Sequence, residues 1–113
     1  MLAAQTIVAA PALLLPEVGG ALARQTGRPD LALRALALLQ GIPNVRFAFI
    51  EAGLARSAAE LAAELRLRGA DAVYVSLANK LGVPLVTWDK EQWERGAARV
   101  ETLTPAELLA ANR

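Results

Sequence analysis

The sequence predicts an α/β fold, helix-rich, with a parallel sheet. Three observations predict it. Segments with helical and strand character alternate from one end of the chain to the other, the pattern of strands joined by helical crossovers. Ala and Leu dominate a composition that is 55% hydrophobic but only 4% aromatic, which favours helices over an all-β core. The chain has 113 residues, with no internal repeat, low-complexity stretch or linker, so one domain spanning residues 1–113 is expected.

The elements follow in order. Thr6-Ile7-Val8-Ala9 reads as a short strand ended by Pro11. Ala12 to Gln25 reads as a helix, with Pro16 in its first turn if the helix starts near Leu14 or Leu15. Gly27, Pro29 and Asp30 form a turn, and Asp30 is the candidate N-cap for a helix over Leu31–Gln40. Arg34 and Gln40 are the polar residues of that helix, so most of its circumference should be covered. Gly41-Ile42-Pro43-Asn44 breaks it, and Val45–Ile50 is a strand of β-branched and aromatic character.

Leu54 to Arg68 reads as a helix with Arg56/Glu60 and Glu64/Arg68 as i,i+4 pairs and Gly69 as its cap. Asp71 to Leu81 is the next helix, stopped by Gly82. Pro84–Trp88 is a short buried strand, Lys90–Arg95 one or two helical turns, and Arg99–Leu103 a strand. Thr104-Pro105, with Glu107 three residues after the threonine, has the spacing of a capping box opening a last helix through Ala111.

Absent residue types narrow the chemistry. There is no Cys, hence no disulfide framework, thiolate metal site or thiol nucleophile. There is no His, which removes Ser–His triads, histidine zinc sites and histidine-pair ribonuclease chemistry. The net charge is +1, so nucleic acid would have to be met by locally clustered Arg. For a hydrolase, carboxylates with a hard cation are the main chemistry left. Residues 1–16 carry no charge, but no Lys or Arg precedes the apolar run, and Pro11, Pro16 and Glu17 interrupt it. A signal peptide and a membrane span are therefore not expected, and a cytoplasmic protein is.

Three Asp are present: Asp30, Asp71 and Asp89. Asp89 directly follows the strand LVTW, at the carboxyl end where α/β sheets bind ligands; it is equally placed to cap the helix after it. Asp71 opens an otherwise apolar helix, where it is a cap, a first-turn carboxylate favoured by the helix dipole, or a ligand. Glu17 is a lone acid among apolar residues, two turns from Arg24, and either lies at a core edge or faces a cation. Trp88 and Trp93 are placed to pack over the core edge, with stacking on bases as the alternative.

At these residues the chain resembles the PIN domain family, and more narrowly toxin ribonucleases of the VapC type. The stretch LAAELRLRGADAVYVSLANKLGVPLVTWDKEQWERGA, residues 61–97, is similar to the family's helix, its GADA helix opening and its strand ending in TxD. PALLLPEVGGALAR, residues 11–24, resembles the family's P…E helix, and VETLTPAELL also fits. The resemblance implies a three-layer α/β/α PIN-like fold that is truncated at the N-terminus, because nothing in Met1 to Pro11 matches the strand carrying the family's first Asp. In the family that strand lies between those matching TIVA and LVTW. It further implies a divalent-metal-dependent endoribonuclease, the toxin of a toxin–antitoxin pair, acting on RNA with Mg²⁺ or Mn²⁺. Glu17, Asp71 and Asp89 then match the second, third and fourth family carboxylates as metal ligands. Thr87 matches a polar position near the metal, and Arg24 a basic residue that could meet phosphate. An antitoxin protein and a second copy of the chain are the implied protein partners.

Two other readings stand beside this one. A non-catalytic PIN-like module would keep the acids idle and act through protein contacts. A generic α/β ligand-binding domain would use them as caps, but Gly19-Gly20 lacks the spacing of a phosphate loop.

Overall fold

The computed structural model describes residues 7–111. They form two compact units, one up to Phe49 and one from Ile50 on.

In the first unit, β1 (Val8–Pro11) leads into α1 (Leu14–Thr26), α2 (Pro29–Gln40) and β2 (Val45–Ala48). β1 and β2 are parallel, with Val8 opposite Val45 and Pro11 opposite Ala48. The amides of Val8 and Ala12 donate to the carbonyls of Asn44 and Ala48. By alternation Pro11 turns its nitrogen away from β2, so the missing N–H costs no ladder bond there. Ala10 and Pro11 are buried. Thr6, expected to open this strand, lies outside the described residues.

The α1–α2 hairpin is a close approach. A Cβ on Gly19 would stand 3.1 Å from Leu36 Cδ1. Gly27, at φ 68°, takes the left-handed conformation that ends α1. Asp30 does not cap α2. Pro29 occupies the first helical position and Arg28 the N-cap, and Asp30 forms a 2.8 Å ion pair with Arg28. Proline's fixed φ suits the first helical position and moves the cap back one residue. Leu33 and Leu38 of α2 are exposed, contrary to the expectation that most of this helix is covered.

The second unit contains α3 (Ala52–Leu65), α4 (Gly69–Leu81), β3 (Leu85–Val86), α5 (Lys90–Gly96), β4 (Thr102–Leu103) and α6 (Pro105–Ala111). Its core is Ala58 and Leu61 from α3, Leu67 from the turn, Ala72, Val75 and Ala78 from α4, and Leu85 from β3. Small residues at helical spacing let α3 and α4 approach closely, and Val75 is fully buried. β3 and β4 are parallel, with Leu85 opposite Thr102 and Val86 opposite Leu103. Gly96 is buried where these elements meet: a Cβ there would lie 3.3 Å from Val75, 3.5 Å from Thr102 and 3.6 Å from Leu85.

The structure is thus helix-rich α/β with parallel strands, as expected. Among the described residues each unit holds one two-stranded ladder, β1–β2 in the first and β3–β4 in the second. α3 ends earlier than expected. It stops at Leu65, with Arg66 in the left-handed conformation at φ 56°, while Gly69 opens α4. Arg68 therefore lies beyond α3, and Glu64 pairs with Arg99 instead. The capping box is present: Thr104 Oγ1 accepts from the Glu107 amide at 3.2 Å and Glu107 Oε1 from the Thr104 amide at 2.9 Å.

Candidate functional site

β3 ends at Val86, and the chain turns through Thr87 and Trp88 to Asp89. Thr87 Oγ1 accepts the Asp89 amide at 3.0 Å, which holds the turn closed. Asp89 Oδ1 accepts the Gln92 amide at 2.9 Å and so caps α5. The capping reading of Asp89 is therefore realised. It engages Oδ1, while Oδ2 accepts no hydrogen bond from the described residues.

Asp71 sits in the first turn of α4, where the dipole favours a carboxylate; the N-cap itself is Arg68. Its Oδ1 accepts from Gln92 Nε2 at 3.3 Å. Gln92 is buried at 7% exposure and joins the two aspartates: its backbone serves Asp89 and its side chain serves Asp71. Sequence reasoning does not single out this residue. Its place three residues after a capping Asp is the available signal, since that position donates its amide to the cap.

Glu17 lies in the first turn of α1, in the other unit, and is exposed. Arg24, in the last turn of α1, is exposed and folds back toward Gly20, where a Cβ would meet its Nη1 at 3.0 Å. Trp88 does not pack over a core edge: it is 78% exposed, carried outward by the turn that aims Asp89. Trp93 is half-buried, and its indole N–H is buried without a hydrogen-bond partner among the described residues.

Glu51, a further acid of this unit, caps α3. Its carboxylate accepts from the amides of Gly53 and Leu54 at 2.9 and 2.5 Å, and Lys80 lies 3.6 Å away. These two amides, and then the lysine, hold its pKa below the usual carboxylate value.

Two carboxylates in reach of one glutamine offer hard oxygen donors of the kind that bind Mg²⁺ or Mn²⁺. The donor chemistry fits such a cation. Among the described residues no group of three or more acids converges as a metal site.

The sequence profile of the PIN domain matches residues 1–108, and the chain belongs to that family. PIN domains are generally metal-dependent nucleases. No curated protein and no solved structure gives a match. Among the described residues no helix is long and apolar enough to cross a membrane.

Proposed function

We propose that this chain is a divalent-metal-dependent endoribonuclease of the VapC type, the toxin of a toxin–antitoxin pair, that hydrolyses RNA phosphodiesters in the cytoplasm. One observation carries the reading: Asp71 and Asp89, far apart in sequence, meet at Gln92 beyond the carboxyl end of β3. That is where α/β sheets place their ligands.

Asp71 and Asp89 would hold Mg²⁺ or Mn²⁺ through carboxylate oxygens. When bound, such a cation lowers the pKa of a water and neutralises charge on the scissile phosphate. Gln92 pins both carboxylates, so their separation is set before the cation arrives. Thr87 orients Asp89 through its backbone amide rather than its carboxylate. With no histidine in the chain, a metal-activated water is the fitting nucleophile. Glu17, as a third ligand, and Arg24, as a phosphate contact, enter this reading from the family pattern alone. We take residues 1–113 as one PIN-like domain that works as a homo-oligomer, which the exposed Leu33 and Leu38 of α2 support.

A second reading is favoured by one observation, the exposed Leu33 and Leu38 of α2, an apolar surface suited to a protein contact. It makes the chain a non-catalytic PIN-like module acting through protein contacts. Cleavage of a mixed RNA panel decides between them, with Mg²⁺ or Mn²⁺, with EDTA, and with Asp89→Asn. The nuclease reading expects cleavage that needs the metal and is lost in the variant. Absence of cleavage by the wild-type chain refutes it and leaves the interaction module.

A further inference from the structure

Among the described residues three helices end in a left-handed residue. In α1 and α4 it is glycine, Gly27 and Gly82; in α3 it is Arg66. Glycine is the default there because a Cβ in this conformation crowds the following carbonyl. An arginine at this position is a disadvantage to the fold, so its side chain calls for another explanation. The capping does not supply one: the Leu67 amide bonds the Ala62 carbonyl in the same way that the Val83 amide bonds Ala78 at the end of α4.

Leu67 is buried, while Arg66 and Arg68 on either side of it are exposed. Neither arginine has an ion pair among the described residues. Arg95, a third cation, donates to the Arg66 carbonyl and pairs with Glu91 at 2.5 Å. Arg99 is neutralised by Glu64. The α3–α4 turn therefore presents two guanidinium groups uncompensated among the described residues.

The turn also adjoins the aspartates. Gln92 and Arg95 are three residues apart, on one face of α5 and about one turn, ~5 Å, from each other along its axis. Gln92 reaches Asp71 and Arg95 reaches Arg66, so α5 lies along the segment that runs from the turn into α4.

We propose that Arg66 and Arg68 form a phosphodiester-binding rim that holds an RNA strand beside the Asp71–Asp89 pair. The inference rests on the reading of the chain as an enzyme acting on RNA. Guanidinium groups suit phosphate oxygens, and two of them next to a carboxylate pair place backbone contacts beside the point of cleavage.

The test is fluorescence anisotropy with a labelled, 2′-O-methylated single-stranded RNA, which resists hydrolysis, in EDTA and over a series of salt concentrations. The proteins are the wild-type chain, Arg66→Gly, Arg68→Gln, the double variant and Arg34→Gln. Removing one guanidinium that neutralises a phosphate lowers the slope of log affinity against log salt by about 0.7 for a single strand, so the double variant should lose about 1.4. Arg34→Gln, on α2, should keep the wild-type slope. Arg66→Gly should unfold in urea at a midpoint no lower than wild type, which separates weaker binding from weaker folding. Wild-type slopes in the Arg66 and Arg68 variants overturn the inference, as does an equal loss in Arg34→Gln. So does a wild-type chain that binds polyglutamate and not the RNA, which would assign the turn to an acidic protein. If unmodified RNA is cleaved while the variants keep the wild-type slope, the rim fails and the nuclease reading stands. If binding needs Arg66 and Arg68 but RNA with Mn²⁺ stays intact, the nuclease reading fails and the rim stands.

Discussion

Replacing Asp89 by alanine removes two things at once, a helix cap and a negative charge. Replacing it by asparagine removes only the charge. The structure makes the two effects separable, because the cap uses Oδ1 toward the Gln92 amide. Asparagine caps helices about as well as aspartate, whereas alanine at an N-cap costs about 1 kcal/mol. The charge adds a further dipole contribution of ~0.3–1 kcal/mol, at its lower end for an exposed carboxylate on a helix as short as α5. Asp89→Asn should therefore lose about 0.3 kcal/mol and Asp89→Ala about 1.3 kcal/mol. With a urea m-value of about 1 kcal/mol/M, the midpoints fall by ~0.3 M and ~1.3 M. Metal affinity should follow the opposite logic. Both variants lose the charged ligand, so titration with Mn²⁺ should show similarly weakened binding in both. The measurements are urea unfolding by circular dichroism and calorimetric Mn²⁺ titration. Two variants of equal stability would show that the cap is not what Asp89 contributes to the fold. Wild-type Mn²⁺ affinity in Asp89→Asn would remove it from the ligand set.

Gly96→Ala and Gly19→Ala should separate by what their new methyl groups meet. At Gly96 the methyl presses on fully buried Val75, so we expect a net loss of about 1 kcal/mol despite alanine's better helix propensity. At Gly19 it meets the end of the Leu36 side chain, which can rotate, and urea unfolding should show a change within about 0.5 kcal/mol. Glu51 predicts a pH dependence. Its folded pKa lies below the ordinary 4.5, so its contribution to stability is present above that value and lost as pH falls through the lowered one. Stability curves of wild type and Glu51→Gln should differ at neutral pH and converge in acid; curves that stay parallel would refute this account.

What was legible in the sequence was local. The Thr104–Glu107 box is a spacing, and both of its bonds are present. Gly82 ends α4 because glycine alone takes its φ without strain. The same rule misplaced the end of α3. Gly69 is the nearest glycine, yet Arg66 adopts the left-handed conformation and Arg95, far along the chain, holds its carbonyl. The Glu64–Arg99 pair was illegible for a related reason, since an i,i+4 partner in sequence gives no warning of one brought in by tertiary structure. In the site, Asp71 and Asp89 were legible as acids at a helix start and a strand end. Gln92 was not, because a neutral residue in a short helix carries no sign that its side chain will be buried against a distant carboxylate.

Both ladders being parallel bears on the order in which the molecule assembles. Parallel strands cannot be closed by a tight turn, so each pair waits for its crossover. Val8 and Val45 are about twice as far apart in sequence as Leu85 and Thr102, a difference of only ~0.6 kcal/mol in closure entropy. Distance along the chain hardly ranks the two events; helix docking does. The hairpins α1–α2 and α3–α4 rest on contacts near in sequence and can form early. The turn carrying Asp89 closes through bonds local in sequence, but the Gln92–Asp71 bond needs α5 settled against α4. A cation gripping Asp71 and Asp89 would therefore bind the finished state and little before it. Its binding would then add resistance to unfolding that grows with free cation concentration relative to Kd.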